Sequence, residues 1–201
     1  MVLSTSYDAR GIREAVREAY SAASKDPRGK HAFSVGKEFG ESLGYPTDLL
    51  SELPAASLEA FSGVSNVSVI AEIPAEACVL DLGCGAGLDS LIAAKRSGLR
   101  GRVVGVDFSA SMLERAHRAA SEAGLGNVIF CRADAEALPI RSGSIDVALV
   151  NGIFNLNPSR TAIFRELARV LRSEGFVYAA ELILCGPLPP EIRSSEANWF
   201  A

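Results

Sequence analysis

The sequence predicts an α/β fold, a doubly wound and mostly parallel sheet with crossover helices, and three observations carry that expectation. From residue 77 onward, short apolar runs alternate with helix-like stretches at the spacing of strand–helix–strand units. The first of these runs, VLDL, opens into a glycine-rich turn, GCGAG, that leads directly into a helical pattern. Across 201 residues, 48% are apolar and 22% charged, an ordinary globular balance with enough apolar surface for one substantial core.

Residues 1–72 are expected to form a helical and irregular cap region, and residues 73–201 a ligand-binding domain. In the first zone a helical stretch covers 12–23, SKDPRGK breaks it, and short pieces punctuated by Gly and Pro follow. CVLDL at 78–82 reads as a buried strand, and 88–97 as a helix closed by Gly98. RVVGVD at 102–107 is the next strand. Ser109 or Ser111 then caps a helix to 123, with Ser111 and Glu114 at capping-box spacing and Gly124 as the stop. Strands are predicted at 127–134 and 144–152. Pro158 and Ser159 open an amphipathic helix with Ile163, Leu167, Val170 and Leu171 on one face. GFVYAAELIL at 175–184 is the fifth strand. It is apolar on both faces, as a strand inside a sheet is.

Several function classes fall away on composition. A net charge of −4 implies no general affinity for nucleic acid. The opening residues lack a basic cluster followed by an apolar stretch, so no signal peptide is expected, and no apolar run is long enough to cross a bilayer. Cys78, Cys84, Cys131 and Cys185 are scattered without paired spacing. That pattern fits thiols in a reducing cytoplasm better than a disulfide framework or a metal site.

The glycine turn carries the chemistry. Gly83, Gly85 and Gly87 let the main chain approach a ligand closely, and Asp107 follows twenty residues after the last of them. An acid there, ending the second strand, can accept hydrogen bonds from both hydroxyls of a ribose. The dinucleotide fingerprint needs its third glycine at position 88, which is Leu88, and no GKS or GKT is present. A nucleoside without phosphates, with a carboxylate to face a helix N-terminus, suits the turn better. S-adenosylmethionine is such a molecule.

Other residues are weighed against plainer roles. Asp134 is either a second cofactor contact or a turn former. Met112 is equally an adenine neighbour or core. Cys84 occupies a place that needs only a small residue, Cys78 and Cys131 read as strand core, and Cys185 as a buried thiol. His31 and His117 belong to no constellation. Glu181, an acid inside an apolar strand near its carboxyl end, is a better candidate general base, and Tyr20 is placed to fold over the ligand.

VLDLGCGAG, GVDFSASML, ADAEALP and the long segment from SIDVALVNG to LRSEG resemble the class I S-adenosylmethionine methyltransferases of Rossmann-like fold. The resemblance implies that the turn from Asp81 through Gly83, Cys84, Gly85 and Gly87 lies against the methionine and ribose. It implies that Asp107 holds the ribose, with Phe108 and Met112 near the adenine and Asp134 and Ala135 reading its edge. Asn151 and Gly152 would face the methionine end and the substrate, with Asn151 and Glu181 as the catalytic candidates. LGYPTDLLSELP, GVSN, NGIFNLNP and GPLPPEIRSS are similar to the arsenite methyltransferase branch. That branch binds arsenic through cysteine thiolates where this chain has Val64 and Gly152, and its cysteine-rich N-terminal segment is missing here. Relatives also continue past the fifth strand with two more strands. Their lack here implies that the fifth-strand edge is covered by the N-terminal zone, a second copy or another chain, or else that the protein is a truncated relative of modest stability.

The expected function is transfer of a methyl group from S-adenosylmethionine to a small-molecule acceptor by in-line displacement, with no metal. Arsenite methylation, a non-catalytic S-adenosylmethionine-binding module, and a dinucleotide oxidoreductase opposed by Leu88 are the alternatives.

Overall fold

A computed structural model describes residues 9–183 and 185–186. The described residues begin with five helices, α1 (Ala9–Lys25), α2 (Lys37–Ser42), α3 (Thr47–Ser51), α4 (Ala55–Leu58) and α5 (Val67–Ile70). Strand and helix then alternate: β1 (Cys78–Leu82), α6 (Leu88–Ser97), β2 (Arg102–Asp107), α7 (Ala110–Glu122), β3 (Val128–Arg132) and β4 (Ile145–Asn151). A 3-10 turn (Phe154–Leu156), α8 (Arg160–Val170) and β5 (Leu171–Ala180) complete the described chain. All strand pairs are parallel, in the order β3-β2-β1-β4-β5. The predicted bounds of β1, α6 and β2 coincide with those observed.

Strand alternation sorts the core into two layers. Val79, Val103, Val147 and Leu149 point to the side of Leu91 and Ile92 of α6 and Ala119 of α7. Leu50, Leu58 and Val67 from the N-terminal helices join that same layer, so the first zone shares a core with the sheet. Leu80, Leu82, Ala148 and Val150 point the other way, onto Ile163, Leu167 and Val170 of α8. The predicted apolar face of α8 is therefore the buried one, except at Leu171, which starts β5.

One open alternative is resolved, and two local expectations need correction. Ser109, not Ser111, is the cap of α7, its hydroxyl accepting from Met112 N. Ser111 sits one step inside the helix and bonds Ser24 of α1 instead. Leu171 already pairs with Ile145, but the register then jumps from Ile145↔Leu171 to Val147↔Phe176. The intervening RSEG bulges outward, which is why regular pairing resumes close to the predicted start. The strand also ends at Ala180, so Glu181 lies beyond it. Leu184, the last residue of the predicted strand, lies outside the described residues.

The chain leaves β1 toward β2 and β3 on one side, while β4 and β5 lie on the other. The crevice outside the carboxyl ends of β1 and β4 is thus the topological switch point, where open α/β sheets bind their ligands.

Candidate active site

A cavity of about 910 Å³ occupies that crevice. Its floor is the turn after β1. Gly83 and Cys84 both direct their amides to the Val106 carbonyl, at 2.7 and 3.0 Å, which folds the turn back over β2. Gly85 adopts φ +51°, and a Cβ there would meet no atom within 4 Å, so its main chain is bare toward the cavity. Its amide donates to Asp107 Oδ2 at 2.9 Å, and Ser109 N donates to Asp107 Oδ1 at 2.8 Å. Each carboxylate oxygen keeps a further lone pair for a hydroxyl. Burial pushes Asp107 up to about 6, against the pull of the Ser109, Gly85 and Phe108 amides. Asp81 is pushed up to about 8 by burial and by nearby Asp89, while Ser90 donates to its Oδ2 at 2.5 Å. A cation in the cavity would reverse that shift.

Two loops and one helix form the walls. Asn151, at the end of β4, has every amide atom engaged. Its Oδ1 accepts from Val64 N (2.8 Å) and Ser65 N (3.2 Å); its Nδ2 donates to Ser65 O (2.8 Å) and Asp89 Oδ2 (2.9 Å). Tyr45 donates to Asp89 Oδ1 at 2.6 Å, and Ser68 donates to the same oxygen. This buried network pins the loop carrying Gly63 and Val64 against β4. Burial and the adjacent Asp89 raise the Tyr45 phenol far above its ordinary range, so it stays a donor. Glu181 receives the amides of Ile153 and Phe154, both at 2.7 Å, and of Asn155 at 3.2 Å.

Helix α1 crosses the opening. Ser21 meets Ser109 at 3.0 Å, Ser24 donates to Ser111 at 2.7 Å, and Arg13 pairs with Asp134 (3.0 Å) and Glu136 (3.3 Å) beyond β3. Arg115 of α7 reaches Ser24 O and Glu59, tying α1 and α4 together. Tyr20 lines the cavity and stacks on Phe33 with ring centroids 4.5 Å apart. Burial, with Asp107 and Glu181 nearby, raises its phenol well above the usual value.

Most of the predicted residues converge on this cavity: Asp81, Gly83, Cys84, Gly85, Asp107, Phe108, Asp134, Ala135, Asn151 and Gly152 all line it. Met112 and Gly87 do not. Met112 is buried against Ala60 and Ala86, and Gly87, at φ +87°, lets α6 start beneath Ala116 and Phe130. Cys84 is buried, with its thiol raised by burial and by Asp81. Cys78 and Cys131 are only half-buried, and Cys185 is exposed, contrary to the buried thiol expected.

Residues 74–200 match the family profile described as "Methyltransferase domain". The chain belongs to that family. It is similar to the arsenite methyltransferase of Halobacterium salinarum, 30% identical over 92% of this chain and 51% of the relative. It is also similar to the demethylmenaquinone methyltransferase of Lactococcus lactis, 35% identical over 51% of this chain and 41% of the relative. Among solved structures it resembles an arsenic(III) S-adenosylmethionine methyltransferase from Chlamydomonas reinhardtii, at TM-score 0.61 and 29% identity, covering 78% of this chain and 52% of that one. The chain thus spans about half the length of these relatives. Its sheet and helices are those of the class I Rossmann-like methyltransferases, whose cofactor is S-adenosylmethionine.

Sequence reasoning did not find Tyr45, Asp89, Ser68 or Ile153 in this methyltransferase domain. The one available signal was Asp89, an acid two residues after Gly87 and the only charged residue of its helix before Lys95.

Proposed function

We propose that this domain binds S-adenosylmethionine in the switch-point cavity and transfers its methyl group to a small-molecule acceptor. The observation that carries the reading is Asp107: a buried carboxylate at the end of β2, held by two main-chain amides, with a lone pair left on each oxygen beside the bare main chain of Gly85. That arrangement suits two neighbouring hydroxyls of a ribose. Phe108, Asp134 and Ala135 continue along the adenine side, and Asn151, Gly152 and Tyr20 border the methionine side. The cofactor, when bound, supplies an already activated methyl electrophile. The chain's own work is to bind, to orient and to exclude water, with α1 closing the opening.

Arsenite is not the acceptor we favour, although relatives bear that name. Val64 and Gly152 lie against each other, a Cβ on Gly152 falling 3.2 Å from Val64 Cγ1, so thiols at these two places would converge. Neither residue is a thiol here. We further read the protein as cytoplasmic, supported by four free cysteines, and the open edge of β5 as the place for an added strand from a second copy or another chain. Among the described residues, no helix is long and apolar enough to cross a membrane.

Titration calorimetry with S-adenosylmethionine, S-adenosylhomocysteine and NAD tests the cofactor. Heat with the first two alone is expected; binding of NAD alone would overturn the reading. Methyl transfer to a thiol, hydroxyl or activated carbon separates an enzyme from a silent binding module. Little or no conversion of arsenite is expected even with glutathione present, and robust methylation would reinstate arsenic as substrate.

A further inference from the structure

Glu181 stands where a general base was expected, yet its carboxylate is already engaged. The amides of Ile153, Phe154 and Asn155 all donate to it, and among the described residues these three amides have no main-chain acceptor. A carboxylate that accepts from three amides, with one lone pair left on Oε2, is a fixed anchor. Two further ties join the same segments: Gly152 N donates to Ala180 O at 2.9 Å, and Asn155 Nδ2 donates to Leu182 O. The anchored loop ends against the glycine turn. Ile153 occupies the space that a Cβ on Gly83 would take, and both Ile153 and Leu156 line the cavity, whereas Glu181 does not.

We infer that Glu181 is a positioning residue: it holds the 152–156 loop so that Ile153 packs on Gly83 and shapes the reacting end of the cavity. The anchor works through Ile153 and not by contact with a ligand. This inference rests on the cavity being the S-adenosylmethionine site.

The test uses the whole chain and S-adenosylhomocysteine as probe. In the unmodified protein the Ile153, Phe154 and Asn155 amides are expected to be protected from hydrogen exchange. Glu181→Ala should speed their exchange by about tenfold or more while leaving β1 and β2 protected. It should also weaken S-adenosylhomocysteine binding by roughly tenfold, with Glu181→Gln, which keeps one acceptor oxygen, falling between. Ile153→Ala should weaken binding by itself and add little in the Glu181→Ala background, because both changes remove the same contact. A purely structural role would lower melting temperature without that non-additivity and without changing affinity in the folded protein. Fast exchange of the three amides in the unmodified protein overturns the inference, as do unchanged affinity or fully additive effects. If Glu181→Ala does not fold, Glu181→Gln and the unmodified protein's exchange decide. If the unmodified protein binds no S-adenosylhomocysteine, the functional reading fails, while the exchange measurement still judges the anchor.

Discussion

Asp107 concentrates the chemistry of the cavity in one side chain. Two ribose hydroxyls donating to its ionised carboxylate would each contribute about 1.5–3 kcal/mol, so Asp107→Ala should weaken cofactor binding well beyond tenfold with an unchanged far-UV circular dichroism spectrum. The sign of the pH effect follows from burial, which raises this acid to about 6. The ionised form accepts from both hydroxyls; the protonated form gives up one of those acceptors. Affinity for S-adenosylhomocysteine should therefore show an inflection near pH 6, weaker on the acid side. Asp107→Asn should bind weakly with no such inflection, and an unaltered pH profile in that variant would refute the ribose assignment. Residues of this kind were legible because fixed spacing from a glycine turn reports them. Asn151 and Glu181 were legible as polar groups at the carboxyl ends of strands, but not as anchors. Their partners are main-chain amides at 64–65 and 153–155, which leave no side-chain signature.

Elements whose ends are set by local chemistry appear in the sequence with their true bounds: β1, the glycine turn, α6 up to Gly98, and β2. Elements whose ends depend on distant pairing do not. The bulge in β5 is set by Ile145 and Val147 of β4, and Ser111 was diverted from capping by Ser24, 87 residues away. The short helices α2 to α5 are a further case, too brief to form alone and sustained by burial of Leu50, Leu58 and Val67. What fastens them to the sheet is the network of Tyr45, Ser68, Asp89 and Asn151. Tyr45→Phe removes one donor from the buried Asp89 carboxylate and the Tyr45 hydroxyl's approach to Ser65 O. It should cost about 1–3 kcal/mol in chemical denaturation, the range for leaving a buried polar group short of a partner. Because the same network seats the Gly63–Val64 loop at the cavity, cofactor affinity should fall as well. A fully stable Tyr45→Phe protein with native affinity would show that the network is dispensable.

At the scale of the whole molecule, the sheet ends in two edge strands, β3 and β5. The described part of the N-terminal zone packs against one face of β5 through Tyr178 and Ala180, but among the described residues no strand pairs with its outer side. Phe176 is 65% exposed, Leu182 63% and Ile183 82%, although the strand reads as an interior one. Among the described residues the N-terminal zone adds no strand at this edge, and we propose a second copy or another chain as its cover. In a parallel edge strand, alternate residues turn their amide and carbonyl toward the neighbour and the others turn theirs outward. A lone monomer should thus show alternating protection from hydrogen exchange along Phe176 to Ala180. Pairing at the edge would protect every amide there and raise the sedimentation coefficient with protein concentration. Association with uniform protection is the expected result, and Phe176→Lys, which places a charge on the open strand, should return the alternating pattern and a monomer. A stable, soluble monomer with alternating protection at high concentration would leave a different chain as the partner. Uniform protection in that monomer would instead mean that the edge is covered from within the same chain.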